Sequence, residues 1–254
     1  MKRVVVKVGS AVLTENGTIA LERMQALVDF IVDLRGNYEV ILVSSGAVAG
    51  GYTKLKLDRT ILANKQALAA IGQPVLMSKY AKKFQKYDIV TAQVLVTAAN
   101  LNKSDDIQRV KKTVETLIRN NVIPIVNEND ATATDELEVG DNDQLSAYIT
   151  NHTDADMLII LSDIDAYYDS DPRVHKNAKA LKVVHTIPKA ELSQEVTPNN
   201  LFATGGIVTK LKAAEYLLTH DKEMFLASGF DLSDVTSFML HDNHKGGTLF
   251  TKGK

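Results

Sequence analysis

Short runs of β-branched residues alternate with longer amphipathic stretches along the whole chain. Most of the short runs are almost continuously apolar, which is typical of strands that helices cover on both faces. An alternation of this kind predicts a parallel sheet whose strands are joined by crossover helices. The predicted strands cover residues 4–8, 39–43, 89–96, 122–126, 157–161 and 224–226.

The amphipathic stretches predict helices with recognisable ends. Ser104 is the predicted N-cap of one helix, and two Asp residues at 105–106 favour its first turn. Gly36 and the Asn pair at 120–121 follow helices and tolerate a left-handed backbone. The Gly-Gln-Pro sequence at 72–74 predicts a break between two helices. The predicted helices cover residues 21–34, 63–71, 75–84, 104–119, 207–219 and 232–240.

The composition is that of one ordinary globular domain. The chain has 254 residues, of which 45% are hydrophobic and 24% charged, and it contains no repeat or linker, so we expect a single domain over residues 1–254. Its 29 Lys and Arg balance 31 Asp and Glu, which does not favour a nucleic-acid partner. Cysteine is absent, which excludes a disulfide scaffold and agrees with a reducing compartment.

The first residues do not resemble a targeting segment. A basic start at Met1–Arg3 is followed only by a strand-length apolar run that Lys7 interrupts. This run is too short for a signal peptide or a membrane span. We therefore expect a cytoplasmic protein with no membrane partner.

Glycine-rich and polar residues follow several predicted strands. In an open parallel sheet, ligands bind beyond the carboxyl ends of the strands. Glycines there let backbone N–H groups approach an anion such as phosphate. Any one such turn is also explained by the tight connection that each βα unit needs. The segments are 7–10, 44–51, 127–130, 162–163 and, before the late helix, 204–210.

Lys7 is unusual because it lies inside an otherwise apolar strand. A buried ammonium needs a carboxylate or phosphate partner, although a lysine at the end of a strand can also reach solvent. Lys210 is less distinctive, and only the preceding Thr-Gly-Gly draws attention to it. Neither G-x-x-x-x-G-K-[ST] nor G-x-G-x-x-G is present, so the P-loop and dinucleotide-binding classes are excluded.

Amides and carboxylates are concentrated between Asn127 and Ala147. Two interpretations fit this segment. Its oxygens suit magnesium or calcium, or its carboxylates take the ammonium of a zwitterion while its amides take the carboxylate. The triplet at 141–143 also fits a helix N-cap. The six histidines are scattered and form no metal or triad motif.

With these segments in view, the chain resembles the glutamate 5-kinase family of the amino-acid kinase superfamily. The pair of motifs NEND and GDND separates this family from acetylglutamate, carbamate, aspartate and UMP kinases. The matching motifs are KVGSAVLT from Lys7, SSGAVAGG from Ser44, NKQALAAIGQ from Asn64, NENDATAT from Asn127, VGDNDQLSA from Val139 and TGGIVTKLKAA from Thr204.

The resemblance implies a three-layer α/β sandwich around a mostly parallel sheet of about eight strands. It implies glutamate over the N-terminal half and ATP over the C-terminal half. The implied reaction moves the γ-phosphate of ATP to the side-chain carboxylate of L-glutamate, the first step of proline biosynthesis. Mg²⁺ is expected to be held mainly through the nucleotide phosphates, and no residue is assigned as a direct metal ligand.

The resemblance also implies roles for individual residues. Lys7 and Lys210 would stabilise the transferring phosphoryl group, and Asp143 would organise both lysines. Gly9 and Gly46 would direct backbone amides at the phosphates. The residues implied for glutamate are Ser45, Gly46, Ala47, Asn127, Asp130 and Asn142. Those implied for ATP are Lys7, Gly9, Ser162, Asp163, Thr204, Gly205, Gly206, Ile207, Val208, Thr209 and Lys210.

The chain departs from the family pattern in places. Ser162 replaces the usual Thr before Asp163, and Ala-Tyr-Tyr at 166–168 replaces Gly-Leu-Tyr. Many members carry a C-terminal PUA domain, which we do not expect here. The family implies feedback inhibition by proline and a homodimer or homotetramer. A kinase for another carboxylate or carbamate and a non-catalytic sensor are the alternatives, although a sensor would be expected to have lost one of the two lysines.

Overall fold

The computed structural model describes residues 1–101, 103–132, 142–172, 174–193 and 206–253. Within these ranges the strands are β1 (Lys2–Val8), β2 (Thr14–Glu15), β3 (Thr18–Ile19), β4 (Tyr38–Ser44), β5 (Thr91–Val96), β6 (Ile123–Glu128), β7 (Met157–Ser162), β8 (Val183–Val184), β9 (Glu223–Ser228) and β10 (Thr248–Phe250). The α-helices are α1 (Ser10–Leu13), α2 (Leu21–Leu34), α3 (Ala47–Tyr52), α4 (Leu62–Phe84), α5 (Ala98–Leu101), α6 (Ser104–Arg119), α7 (Asn142–His152), α8 (Lys189–Leu192), α9 (Gly206–Thr219) and α10 (Ser233–His241).

Eight of these strands form one twisted sheet in the order β5-β6-β4-β1-β7-β9-β10-β8. Neighbours are parallel except β9 and β10. β1 lies between β4 and β7, and its last residue, Val8, pairs with Ser44 and Leu161. The three strands therefore end together, and the segments that follow them meet at one edge of the sheet.

The two faces of the sheet carry separate hydrophobic clusters, so the architecture is helix, sheet, helix. Because side chains alternate along a strand, Val4 and Val6 of β1 face the cluster that includes α2, α4 and α10. Val5 faces the cluster that includes α7 and α9. The same period of two turns Lys7 toward α7 and α9.

The six predicted strands are confirmed, and so is the mostly parallel sheet of eight strands. β8 and β10 were not predicted, because strands of two and three residues leave no measurable pattern. Among the helix ends, Asn121 has the predicted left-handed backbone (φ 60°), whereas Gly36 does not.

Two helix predictions are wrong. The predicted break at 72–74 is absent, because α4 continues through Pro74. Gly72 instead allows α3 and α4 to touch, since a Cβ there would meet the Ala47 carbonyl oxygen at 1.7 Å. Ser104 is the first helical residue of α6 rather than its N-cap; Lys103 occupies that position and makes no side-chain capping bond.

No helix in the described part of the chain has both the length and the apolar character needed to cross a bilayer.

Replacing Gly72 with alanine tests the contact between α3 and α4. In an ordinary helix this change stabilises by up to about 1 kcal/mol. Here the new Cβ would overlap the Ala47 carbonyl and lie 2.3 Å from the Gly51 nitrogen, so we expect a loss of about 1–3 kcal/mol in the free energy of unfolding. Urea denaturation measures it. Gly36→Ala is the control, because its Cβ meets nothing closer than 3.4 Å; equal stability of the two variants would contradict the tight contact.

Candidate active site

A cleft of about 670 Å³ opens at the edge of the sheet where β1, β4, β6 and β7 end. The beginnings of α1, α3, α7 and α9 complete its walls. Most of the residues predicted for ligand binding therefore share one cavity. Those that line it are Lys7, Gly9, Ser45, Gly46, Ala47, Asn127, Asp130, Asn142, Ser162, Asp163, Gly206 and Lys210.

Two lysines converge on one buried carboxylate beside this cleft. Lys7 Nζ donates to Asp143 Oδ1, and Lys210 Nζ lies 3.0 Å from Asp143 Oδ2. Asp143 is 0% exposed, and each lysine is 4% exposed. The three side chains that were predicted to act together are therefore in contact, and Lys7 is buried.

Three secondary-structure elements place this cluster. Lys7 comes from the central strand β1, Asp143 from the first turn of α7, and Lys210 from the second turn of α9. Lys210 Nζ also donates to the carbonyl of Gly206 at 2.8 Å, four residues earlier in its own helix. Thr209 Oγ1 donates to Asp143 Oδ2 at 2.9 Å. The carboxylate is thus held from two sides.

Two opposing effects set the charge of Asp143. Burial alone raises the pKa of Asp143, but the charges of Lys7 and Lys210 and their hydrogen bonds lower it to about 2. The carboxylate is therefore ionised at neutral pH. Lys7 and Lys210 both line the cleft, so their ammonium groups can contact an anionic ligand there.

Asn142 is held on the other side of the cleft by three protein acceptors. Its Nδ2 donates to the Ser44 carbonyl at 3.0 Å, to Ser45 Oγ at 2.8 Å and to Asn127 Oδ1 at 3.1 Å. Both N–H bonds of this amide are therefore directed into the protein. Asn142 therefore lines the cleft with its amide nitrogen bonded to protein acceptors.

A chain of side-chain amides continues behind Asn127. Its Nδ2 donates to Gln73 Oε1 at 2.9 Å, and Gln73 Nε2 donates to Gln93 Oε1 at 3.0 Å. The backbone N–H of Glu128 donates to Asn127 Oδ1 at 2.9 Å, which fixes which end of the amide is the acceptor. The chain therefore determines the orientation of Asn127, and the Ser44 carbonyl does the same for Asn142.

Asp130 and Gly46 give this side of the cleft its other features. Burial raises the pKa of Asp130, so a cation bound beside it would stabilise its charged form. Gly46 has a left-handed backbone (φ 104°) at the turn from β4 into α3, a conformation that favours glycine. Asp130 can accept an ammonium group, and the Gly46 turn brings backbone close to the cavity.

The other residues predicted to bind ATP lie in different parts of the structure. The Gly9 amide donates to the Leu161 carbonyl at 3.0 Å. It therefore continues the pairing of β1 with β7 and is not directed at a phosphate. Ile207 and Val208 are buried against a separate cavity of about 230 Å³. Thr204 and Gly205 lie outside the described residues. The Ser162 hydroxyl donates to Asp163 Oδ1 at 2.9 Å, within the main cleft.

Comparison with known proteins decides the family. Residues 2–228 match the model of the amino acid kinase family. The chain belongs to this family. It is 52% identical over 250 residues to a glutamate 5-kinase of Leishmania donovani, covering 98% of this chain and 95% of that protein. It is 48% identical to a glutamate 5-kinase of Wolinella succinogenes, covering 100% and 99% respectively.

The fold agrees with solved structures of kinases. A carbamate kinase from Giardia lamblia bound to AMP-PNP superposes with a TM-score of 0.67, with 16% identity and 99% coverage of both chains. At this identity the likeness concerns the fold. The amino acid kinase fold predicted from the motifs is confirmed.

Several residues of the cleft in this amino acid kinase were not predicted. Arg59, Lys65 and Glu128 line it, and Gln73 supports Asn127 from behind. Lys65 and Gln73 lie in the motif that begins at Asn64, so the resemblance pointed to their segment without giving them a role. Nothing in the sequence around Arg59 marks it as a site residue.

Asp143→Asn tests the dependence of the buried lysines on their counter-ion. The change removes the buried negative charge that both ammonium groups contact, so we expect the free energy of unfolding to fall by about 3–5 kcal/mol in urea denaturation. The matched control is Asp221→Asn, which breaks the 2.7 Å pair with Lys252 on the exposed surface. Its effect should be small, and an equally small effect at Asp143 would contradict the buried charge cluster.

Proposed function

We propose that this amino acid kinase is a glutamate 5-kinase. It transfers the γ-phosphate of ATP to the side-chain carboxylate of L-glutamate and produces L-glutamyl 5-phosphate and ADP, the first step of proline biosynthesis. The observation that carries the proposal is the pair of lysines held on Asp143 beside the cleft. The high identity to two glutamate 5-kinases over nearly full length supports the choice of acceptor.

The chemistry requires positioning and positive charge rather than a general base. A side-chain carboxylate has a pKa of about 4.3 in water, so the attacking oxygen is already ionised at neutral pH. A bond forms between this oxygen and the γ-phosphorus while the bond from that phosphorus to the bridging oxygen breaks. ADP leaves with the electron pair. The site must align these three atoms and stabilise the charge on the phosphoryl oxygens.

Lys7 and Lys210 supply that charge in the proposed mechanism. Their ammonium groups approach the same carboxylate, Asp143, from two elements, so both can reach a phosphoryl group placed above it. Asp143 acts as a positioning residue, because it holds the two cations close together despite their mutual repulsion. A phosphoryl group bound there gains from both lysines without reorganising them.

Glutamate occupies the N-terminal side of the cleft in this proposal. Asp130 takes the ammonium group, and the oriented pair Asn127 and Asn142 shapes the wall beside it. Ser45 and the Gly46 turn border the same space, and Ala47 begins the helix that follows.

ATP occupies the C-terminal side. Its phosphates lie near Gly206 and Lys210, with Ser162 and Asp163 beside them. A separate cavity offers aromatic and apolar surface for a nucleobase from Tyr167, Tyr168, Ile207, Val208 and Leu211, and polar groups from Asp169, Ser170, Asp171 and Glu191. Mg²⁺, held mainly by the phosphates, would neutralise part of their charge, and Asp163 lines this side of the cleft.

The family and the composition extend the proposal. We expect the protein to act in the cytoplasm as a dimer or tetramer, with L-glutamate and ATP as substrates. Proline is expected to inhibit by competing for the glutamate side of the cleft. No nucleic-acid or membrane partner is proposed, and the nearly balanced charge of 29 basic and 31 acidic residues agrees with this.

Acyl-phosphate formation tests the function directly. The purified chain with ATP and Mg²⁺ should form a hydroxamate from L-glutamate when hydroxylamine is present. L-aspartate, N-acetylglutamate and carbamate should support much lower rates of ADP release. A preference for one of these three acceptors would replace glutamate as the proposed substrate, and no ADP release with any of them would favour a non-catalytic role.

Removing either lysine tests the mechanism. Lys7→Met and Lys210→Met should each lower kcat by about 10²-fold or more, because a charge donor to the transition state is lost. The melting temperature of each variant shows whether the fold survives. Lys252→Met provides the control, since that lysine belongs to an exposed pair with Asp221. Wild-type turnover in a folded Lys7 or Lys210 variant would remove these roles.

A further inference from the structure

Two cations of the cleft take no part in the chemistry described above. Arg59 lies in the loop between α3 and α4, and Lys65 lies near the start of α4; both line the cavity. Among the ion pairs of the described residues, neither side chain has a carboxylate partner. Lys7 and Lys210, by contrast, are paired with Asp143.

The proposed substrate, L-glutamate, has a second carboxylate for which no binding partner has yet been named. L-glutamate carries two carboxylates and one ammonium group at neutral pH. The reacting carboxylate lies with the phosphoryl group near Lys7 and Lys210, and Asp130 takes the ammonium. The second carboxylate needs charged donors besides the neutral Ser45 hydroxyl at the cleft, because the Asn142 amide nitrogen is already bonded to three protein oxygens.

Resting on the proposed function, we infer that Arg59 and Lys65 form the subsite for the substrate carboxylate that is not phosphorylated. They are thereby specificity-determining residues, because they favour an acceptor with a second acidic group. A guanidinium can bind a carboxylate through two parallel N–H bonds, and the nearby ammonium adds charge without a fixed direction.

The surroundings of Arg59 hold its side chain near the cleft. Its guanidinium carbon lies 4.6 Å from the centre of the Tyr52 ring, a contact that favours a cation over an aromatic face. Tyr52 is the last residue of α3, the helix that begins beside Ser45 and Gly46. Arg59 therefore lies on the glutamate side of the cleft rather than on the nucleotide side.

The charges along this wall match an amino acid. Glu128 and Asp130 line the cleft together with Arg59 and Lys65. An ammonium group and a carboxylate on the same α-carbon can thus meet groups of opposite sign in one cavity. A simple monocarboxylate would leave the two cations without a ligand partner, which lowers its affinity relative to glutamate.

Steady-state kinetics with two double variants tests the inference. Arg59→Gln/Lys65→Gln removes the proposed subsite. Lys54→Gln/Lys56→Gln is the matched control, because it removes the same charge from the loop that carries Arg59 and leads into α4, and neither lysine lines the cleft. Lys56 even contacts the same ring, with its Nζ 4.0 Å from the centre of Tyr52, so the control also accounts for changes at that ring.

In the subsite variant, KM for L-glutamate should rise about 10- to 100-fold, which corresponds to the loss of one or two charged hydrogen bonds. KM for ATP should stay within about threefold of wild type. The control variant should keep both values. An equal KM for glutamate in the two variants, or a parallel rise in KM for ATP, would overturn the assignment.

A ligand without the second negative charge shows whether the variant has lost a contact to the α-carboxylate or has a generally damaged binding site. L-isoglutamine keeps the side-chain carboxylate and the ammonium but has a neutral amide in place of the α-carboxylate. Its inhibition constant should be the same in wild type and in the subsite variant. If inhibition weakens as much as glutamate binding does, the proposal is contradicted.

The charge-conserving variant Arg59→Lys/Lys65→Arg tests whether charge is what the two positions supply. It keeps both positive charges and should restore most of the glutamate affinity. Glutamate binding as weak as in the Gln variant would show that charge is not the contribution of these positions.

The activity of the wild-type chain toward L-glutamate has to be measured before the variants are compared. Failure of the wild-type chain to form any hydroxamate from L-glutamate would defeat the proposed function itself. Normal wild-type activity with no selective loss in the Arg59/Lys65 variant would defeat only the subsite.

Discussion

The burial of one carboxylate between two lysines is the interaction on which the site depends. Two ammonium groups that are almost inaccessible to water would repel each other and resist desolvation, and the negative charge of Asp143 makes their approach possible. Because the three side chains come from β1, α7 and α9, the same charges also fix how two helices lie against the central strand. Stability and the chemistry of the site are therefore set by one cluster.

Around this cluster the cleft has two sides with different chemistry. On one side, the ends of β1 and β7 and the start of α9 surround a region of positive charge suited to phosphates. On the other side, Asn127 and Asn142 are oriented by backbone groups and by Gln73 behind them. Preorganisation of this kind means that little needs to rearrange when substrates bind. The parallel register of β1 with its two neighbours places the two sides next to each other.

The sequence predicted the sheet well because its strands are long apolar runs with a clear period. Lys7 could be selected because a charged residue in such a run is costly to bury. The pairing of Lys7 with Asp143 was available only through the resemblance, since it joins residues 136 positions apart. The false break at 72–74 shows the limit of local patterns: Gly72 and Pro74 usually end helices, but packing against α3 decides the outcome here. Arg59 escaped notice for a similar reason, because only the fold brings its loop to the cleft.

The low pKa of Asp143 has a consequence for how turnover responds to acidity. With a pKa of about 2, this carboxylate stays ionised throughout the pH range near neutrality. The negative charge of Asp143 is thus constant over the acidity range in which cells live. Any change of rate near neutrality has to originate in groups other than Asp143, and Asp130, whose pKa burial raises, is such a group within the same cleft.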